Sequence, residues 1–401
     1  MKSRSEIEQK DQFPSSAERL PSIRTSYRFD MTKLEISTHS CITFASSKSD
    51  NMPGRRAEPS KDDSVCRRCR ELEPIVNVRT EPLCKDCFTR YVSTKVIKRM
   101  EAFKVRHSEA GRNRKLLLPL SFGPCSTTLL HVLSQYLKGQ AGRTGRTGFQ
   151  LHILHVLGTS NVDDKAAQDR LEKVKARYPE HSYSTINIED IFAQDGAVPS
   201  SLDTNNTSDL ATILANLPSA TSRSDTLNIT LRKSITRFAT SVECEAVLFG
   251  SSTTTLAAET LSSTAKGRGF SLPWIINDGE SPFGVSCYYP MRELLSKEVV
   301  SYVSFLDPPM DELVVFDTSK AAVSAKNSTI DELMRGYFEG VERDFPSIVA
   351  NVVRTTGKLK PMPLSEVEQQ CELCDLPLEG QAPERSRLCY GCIRNLPRTA
   401  A

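Results

Sequence analysis

Eight of the twelve cysteines fall into two sets of four, and they are the residues best placed to do chemistry. The first set reads CRRC…CKDC (Cys66, Cys69, Cys84, Cys87) and the second CELC…CYGC (Cys371, Cys374, Cys389, Cys392). In both, fourteen residues separate the two Cys-x-x-Cys pairs. A Cys-x-x-Cys turn offers two thiolates to one tetrahedral ion, and a second such turn closes the site with no open position. The spacing predicts two structural zinc sites, each supplying folding energy to a unit too small for its own core. Reduced, unliganded thiols are the plainer alternative. A redox role is disfavoured because neither pair opens a helix within a thioredoxin-like strand–helix unit. Cys41, Cys125, Cys244 and Cys287 are scattered, as small buried thiols are. Cys125 differs in opening a predicted helix, where a thiol pKa falls.

A second candidate is SFGPCSTT, residues 121–128, between the apolar run KLLLPL and the helical pattern of LLHVLSQYL. A strand entering a helix through a small-residue turn can hold phosphate on backbone N–H groups and the positive helix end. Ser121, Gly123, Ser126 and Thr127 suit that use. Phe122 and Pro124 do not, since a phosphate cradle wants glycine for close backbone approach.

These residues must be positioned by the elements around them, and from residue 115 onward predicted strands and helices alternate. KLLLPL, FQLHILHVL, YSTINI and AVLFG read as strands; STTLLHVLSQYL, DDKAAQDRLEKVKARY, a stretch near 225–242 and TTTLAAETLSSTAKG read as helices. That order predicts an α/β unit with a parallel sheet, whose ligands sit beyond the carboxyl ends of the strands. The Ser121 turn and the FGSSTTT turn at Gly250 both fall at such ends. His152 and His155, three apart on a strand, face opposite ways and are poor partners for one metal.

The expected organisation is a disordered segment over 1–60, a four-cysteine unit with a basic helix over 61–110, the α/β domain over 111–310, a helical extension over 311–365 and a second four-cysteine unit over 366–401. Residues 196–225, rich in Asn, Ser and Thr, read as an exposed insertion. With 401 residues, 38% of them hydrophobic and 25% charged, the chain suits a soluble protein of several units. No run reaches the roughly 18 apolar residues of a membrane span, and MKSRSEIEQKDQF lacks the apolar core of a secretory signal. A reducing compartment follows, where grouped cysteines bind metal more often than they form disulfides.

A net charge of +3 makes any nucleic-acid surface a local patch. Lys95, Lys98 and Arg99 lie beside an apolar stripe of Val92, Val96, Met100 and Phe103. Arg143 and Arg146 lie in the Gly-rich AGRTGRTG, and Lys266 and Arg268 follow the last helix. These seven are the candidate phosphate contacts; a solvated helix face is the alternative for the first group.

In order along residues 60–400, these features resemble the cytoplasmic tRNA 2-thiolation protein 2 family. The resemblance implies a parallel-sheet ATP-pyrophosphatase-loop (adenine nucleotide α-hydrolase-like) domain flanked by two zinc units. Catalytic enzymes of that fold carry Ser-Gly-Gly-x-Asp-Ser where this chain has Ser121, Phe122, Gly123, Pro124, Cys125 and Ser126. They carry Gly-His-Asn-x-Asp-Asp where it has Gly250, Ser251, Ser252, Thr253, Thr254 and Thr255, ahead of a retained Ala258-Glu259-Thr260. The loop therefore reads as the remnant of an ATP site.

The resemblance further implies a cytoplasmic subunit of a wobble-uridine thiolation complex, acting on tRNAs for lysine, glutamine and glutamate. Its implied partners are a catalytic pyrophosphatase-loop subunit, forming a heterodimer, and a ubiquitin-like sulfur carrier. Two other readings stand beside it: an ATP-dependent tRNA sulfurtransferase in its own right, and a zinc-stabilised RNA-binding scaffold with no part in thiolation.

Overall fold

KLLLP becomes a strand because Leu116, Leu117 and Leu118 are fully buried, as a central parallel strand covered on both faces requires. A computed structural model describes residues 64–107, 114–159, 164–190, 210–316, 328–378 and 386–397. All of them belong to one compact unit, Lys61–Ala401. The expected disordered segment 1–60 and Cys41 lie outside the described residues.

The main sheet has five parallel strands: β3 (Lys115–Pro119), β4 (Gln150–Leu157), β5 (Ser182–Asn187), β6 (Ala246–Leu248) and β7 (Ser286–Tyr288), in the order β5-β4-β3-β6-β7. An antiparallel hairpin, β1 (Val76–Val78) and β2 (Glu81–Leu83), precedes it. The chain runs outward from β3 through β4 to β5, then returns to the other side of β3 to lay down β6 and β7. The crevice at that reversal lies between the carboxyl ends of β3 and β6, where open α/β sheets bind ligands. Both small-residue turns fall there.

Helices α1 (Lys85–Arg99), α2 (Pro124–Thr144), α3 (Asp164–Arg177), α4 (Leu210–Ala215), α5 (Ala220–Ser241), α6 (Thr253–Ala265) and α7 (Leu272–Ile275) follow in chain order. Beyond β7 come α8 (Ser296–Ser304), α9 (Ile330–Asp344), α10 (Pro346–Thr356) and α11 (Tyr390–Ile393). The expected insertion is described from Leu210 onward, and there exposed residues alternate with buried ones on short helical turns. Leu210, Ile213 and Leu217 are buried and α5 already begins at Ala220. Ser219, whose hydroxyl accepts from Ser222 N–H, caps that start.

The alternation along β3 separates two cores. Leu116 and Leu118 join a core holding Cys66, Leu83, Phe88, Val92, Val96, Met100 and the apolar faces of α2 and α3. Leu117 joins a second core with Ile235, Ala239 and the second cysteine set. The two four-cysteine units therefore back onto opposite faces of the sheet, each roofing part of the core beside it.

Candidate metal centres and nucleotide-loop remnant

The two cysteine units are built the same way. After each first pair the backbone turns left-handed, at Arg70 (φ 60°) and Asp375 (φ 56°). The N–H of that residue donates to the carbonyl of Cys66 or Cys371, at 2.8 Å in both. The second pair opens a helix in each unit, with Cys84 capping α1 and Cys389 capping α11, both in extended backbone. A helix thus does open at each second pair, where the sequence argued against one within a thioredoxin-like strand–helix unit. The neighbouring strand, however, is a short antiparallel hairpin, so the surroundings are not those of a thioredoxin.

Each set places its four sulfurs within 4.8 Å of one another. Cys69 and Cys84 stand 3.8 Å apart, Cys371 and Cys392 3.5 Å, and Cys374 and Cys389 3.8 Å. One tetrahedral ion with metal–sulfur bonds near 2.3 Å would set its sulfurs about 3.8 Å apart. Both tetrads could hold a metal ion. The donors are all thiolate and no position is left open, which suits structure rather than catalysis. At Cys66, backbone N–H groups of Cys84, Cys69 and Arg68 outweigh the burial that would raise the thiol, and hold it below its ordinary pKa.

The second centre has a feature the first lacks. Arg268 points Nη1 at Cys392 Sγ (3.3 Å) and Cys389 Sγ (3.6 Å), and closes Nη2 on Asp225 at 2.8 Å. Asn395 donates to the same carboxylate oxygen at 2.6 Å, and Lys266 bridges Asp225 and Asp331 at 3.0 and 2.7 Å. Burial would raise the Asp225 pKa, but Arg268 and Lys266 together hold it below the usual carboxylate range. Gly391 makes room: a Cβ there would lie 2.6 Å from Arg268 Cγ. Lys266 and Arg268 are thus buried inside a charge network and removed from any surface that could meet phosphate.

The other basic candidates divide. Lys95 pairs with Glu293 at 2.8 Å and Arg99 with Asp278, leaving Lys98 exposed on the same helix. Arg143 and Arg146 are exposed at the far end of the 21-residue α2, about 30 Å from its start at the usual rise per residue. The loop that follows them packs on Phe103, beyond the end of α1, where a Cβ at Gly148 would lie 2.4 Å from the Phe103 carbonyl oxygen.

At the Ser121 turn, Phe122 adopts the left-handed backbone, φ 59°, which a glycine would take without strain. Its ring turns into the protein interior. It is buried at 2% exposure, 4.5 Å from the His155 ring, with the Arg170 guanidinium 5.6 Å over it. Ser121 Oγ and Ser126 Oγ are 3.1 Å apart, and the Ser126 hydroxyl also donates to the Gly123 carbonyl at 3.3 Å. Thr127 is fully buried in the first turn of α2, its hydroxyl without a partner. Cys125 departs from expectation: burial pushes its thiol up to about 11, against the opposing hydrogen bonds of Ser252.

The second turn packs directly on the first, since a Cβ at Gly250 would lie 2.8 Å from Ser126 Cα. The hydroxyls of Ser252, Thr253, Thr254 and Thr255 are engaged within the protein. Ser252 Oγ caps α6 and meets Ser296 Oγ at 2.8 Å, Thr253 donates to the Arg292 carbonyl at 2.8 Å, and Thr254 donates to Glu342 of α9. Burial raises the Glu342 pKa, although Thr254 and the Lys297 N–H bind its carboxyl. Among the described residues, no further group of three or more His, Cys, Asp or Glu gathers at metal-binding distances. Burial also raises Cys244, to about 11, and Cys287, so neither sits as a ready thiolate.

The protein of this name from Phaeosphaeria nodorum, cytoplasmic tRNA 2-thiolation protein 2, is 41% identical over 86% of this chain and 98% of its own length. The family's own profile matches residues 329–387, from α9 through the first cysteine pair of the second tetrad. The chain belongs to the cytoplasmic tRNA 2-thiolation protein 2 family. Relatives of that name from Pyrenophora tritici-repentis (40% identical, 87% of this chain, 99% of the relative) and Sclerotinia sclerotiorum (42%, 76% and 84%) extend the match. Family membership sets aside the scaffold with no part in thiolation. Among solved structures, the U34-tRNA thiolase NcsA from Methanococcus maripaludis with its [4Fe-4S] cluster aligns with TM-score 0.55 over 84% of this chain and 99% of its own. At 17% identity that likeness establishes the pyrophosphatase-loop fold alone. No helix among the described residues is long and apolar enough to cross a membrane.

Sequence reading missed Asp225, Arg292 and Glu342. No spacing marks them; each is recruited by a contact far along the chain.

Proposed function

We propose that this chain is an architectural, tRNA-binding subunit of the cytoplasmic complex that 2-thiolates the wobble uridine of tRNAs for lysine, glutamine and glutamate. A catalytic partner of the same fold forms a heterodimer with it, adenylates the base and takes sulfur from a thiocarboxylated ubiquitin-like protein. Zinc occupies both cysteine tetrads and fixes the outer layers of the domain. The observation that carries this reading is the closed second turn. Where catalytic enzymes present histidine and two carboxylates to the nucleotide, this chain presents Ser251, Thr254 and Thr255; Thr254 donates to Glu342, and Thr255 Oγ1 lies 3.0 Å from Ser252 Oγ. Preorganised charge at the reacting group is usually the largest contribution to catalysis, and here it has been exchanged for packing.

Mercury-affinity gel retardation of tRNA from cells lacking the protein tests this. Wild type and a variant replaced at Ser121, Gly123, Ser126 and Thr127, at matched abundance, are expected to restore the retarded thiolated band equally. Restoration by wild type alone would show that the turn still binds something essential. No band difference between deleted and intact cells would end the thiolation reading.

A further inference from the structure

A cavity of about 510 Å³ lies where the first cysteine unit meets the helical extension. Its wall draws five cations from four separate places: Arg79 from the β1–β2 turn, Lys95 and Arg99 from α1, Arg292 from the segment after β7, and Arg354 from α10. Glu293 is the only acidic residue lining it, and Thr253, at the start of α6, places a helix N-terminus in the same wall. Asp278 binds Arg99 and lies 3.8 Å from Arg292. Five positive groups against those two carboxylates leave a net charge of about +3 at a single concavity.

The cations are incompletely satisfied. Arg99 Nε is buried with no hydrogen-bond partner. Arg79 has no hydrogen bond or ion pair among the described residues, and Arg354 reaches only Asn351, at 3.0 Å. Burial lowers the Arg292 pKa even with Asp278 beside it, so this guanidinium is held largely out of water. Guanidinium forks suit phosphate oxygens, which they can bind two at a time. No aromatic ring lines the cavity, so it offers nothing on which a base could stack.

We infer that this cavity seats backbone phosphates of RNA, independently of base sequence, and is the principal electrostatic contact of this chain with tRNA. The inference deepens the proposed function and rests on its tRNA-binding element. It also gives Lys95 and Arg99 a shared site while leaving Lys98, Arg143 and Arg146 outside it.

The test compares the full-length, metal-loaded chain with its Arg79→Gln/Arg354→Gln variant. Both residues are exposed, so the fold should survive, and an unchanged melting temperature will confirm that. Binding of unmodified tRNA is measured across a salt series, beside ATP and polyglutamate as separate ligands, with Lys175→Gln as the control. The variant is expected to bind tRNA about tenfold more weakly near physiological salt, with the slope of log affinity against log salt reduced by about 1 to 2. The control should match wild type. An unchanged tRNA slope overturns the inference and leaves the thiolation reading standing. Loss of ATP or polyglutamate binding, with tRNA binding intact, overturns it in favour of that ligand. A wild-type chain that binds no tRNA overturns both this inference and the tRNA-binding part of the proposed function.

Discussion

Arg268 Nη1 stands 3.3 Å from Cys392 Sγ while the same guanidinium holds Asp225 through Nε and Nη2 at 3.1 and 2.8 Å. One buried side chain thus joins the second cysteine centre to α5 and the end of α6. Four thiolates on a divalent ion carry a net charge of about −2, and Arg268 sets a fixed positive charge against it. The Arg268→Ala substitution should cost about 3–5 kcal/mol, because Asp225 would remain buried without its strongest partner. Arg268→Lys should rescue little, since a point charge cannot meet sulfur and carboxylate together. Gly391→Ala should act in the same direction by pushing Arg268 aside. Urea unfolding and chelator competition measure both effects; wild-type metal retention in Arg268→Ala would show that the network is not tied to the centre.

Removal of the first centre tests the other face of the sheet. Cys66→Ser/Cys69→Ser should release one metal equivalent of two and leave the second centre loaded. Cys66, Leu83 and Phe88 belong to the same core as Leu116 and Leu118, so the loss should reach the α/β domain and not merely fray an appendage. Elemental analysis should return zinc, and the protein should lack the visible absorption of an iron–sulfur cluster. Unaltered metal content and melting in the double variant would reject the closed-site assignment.

The parts legible in the sequence were those fixed by local rules. Cysteine spacing announced both tetrads, and the run KLLLPL announced a buried strand. Periodicity announced α2, α3 and α6. The edge strand β7 was not legible, since Ser286, Cys287 and Tyr288 are too few to show alternation. Charge was the least legible quantity. Lys266 and Arg268 look like surface cations until Asp225, some forty positions earlier, is seen to reach them. Phe122 was legible as a departure from the enzyme loop but not in its consequence, because only the fold reveals that the ring turns toward His155.

Stability should fall as the solution is acidified from pH 6.5 towards 4. Burial and Arg177 lower His131 to about 4, and burial likewise lowers His152, His155 and His181. Between the unfolded value of about 6.5 and these lower values, the unfolded chain binds more protons than the native one, so stability rises with pH through that window. His131, bonded to the Tyr178 hydroxyl at 2.9 Å, should account for roughly 2–3 kcal/mol of it. Asp225 acts lower: its contribution is full above its unfolded value of 3.8 and is lost as pH drops through its depressed native value. Denaturant midpoints from pH 7 to 4 should decline, and less steeply in His131→Gln. Glu298 and Glu342, raised by burial, work in the opposite direction, so the deciding comparison is the slope in His131→Gln: if it matches wild type, this ring is not held neutral.

Restoring the enzyme's glycine at position 122 separates architecture from relic. Phe122→Gly removes a left-handed strain of about 1–2 kcal/mol, which alone would stabilise the turn. It also empties the space of a ring packed on His155 and under Arg170, and truncating a buried phenylalanine costs about 3–5 kcal/mol. The packing loss is the larger quantity, so the variant should be less stable by about 1–4 kcal/mol in urea. It should still release no pyrophosphate from ATP, because Thr254 and Thr255 still stand where the enzymes carry their two carboxylates. A variant more stable than wild type would show that the ring contributes little to the core. One that turns over ATP would show that a single bulky side chain, and not the lost carboxylates, had silenced the site.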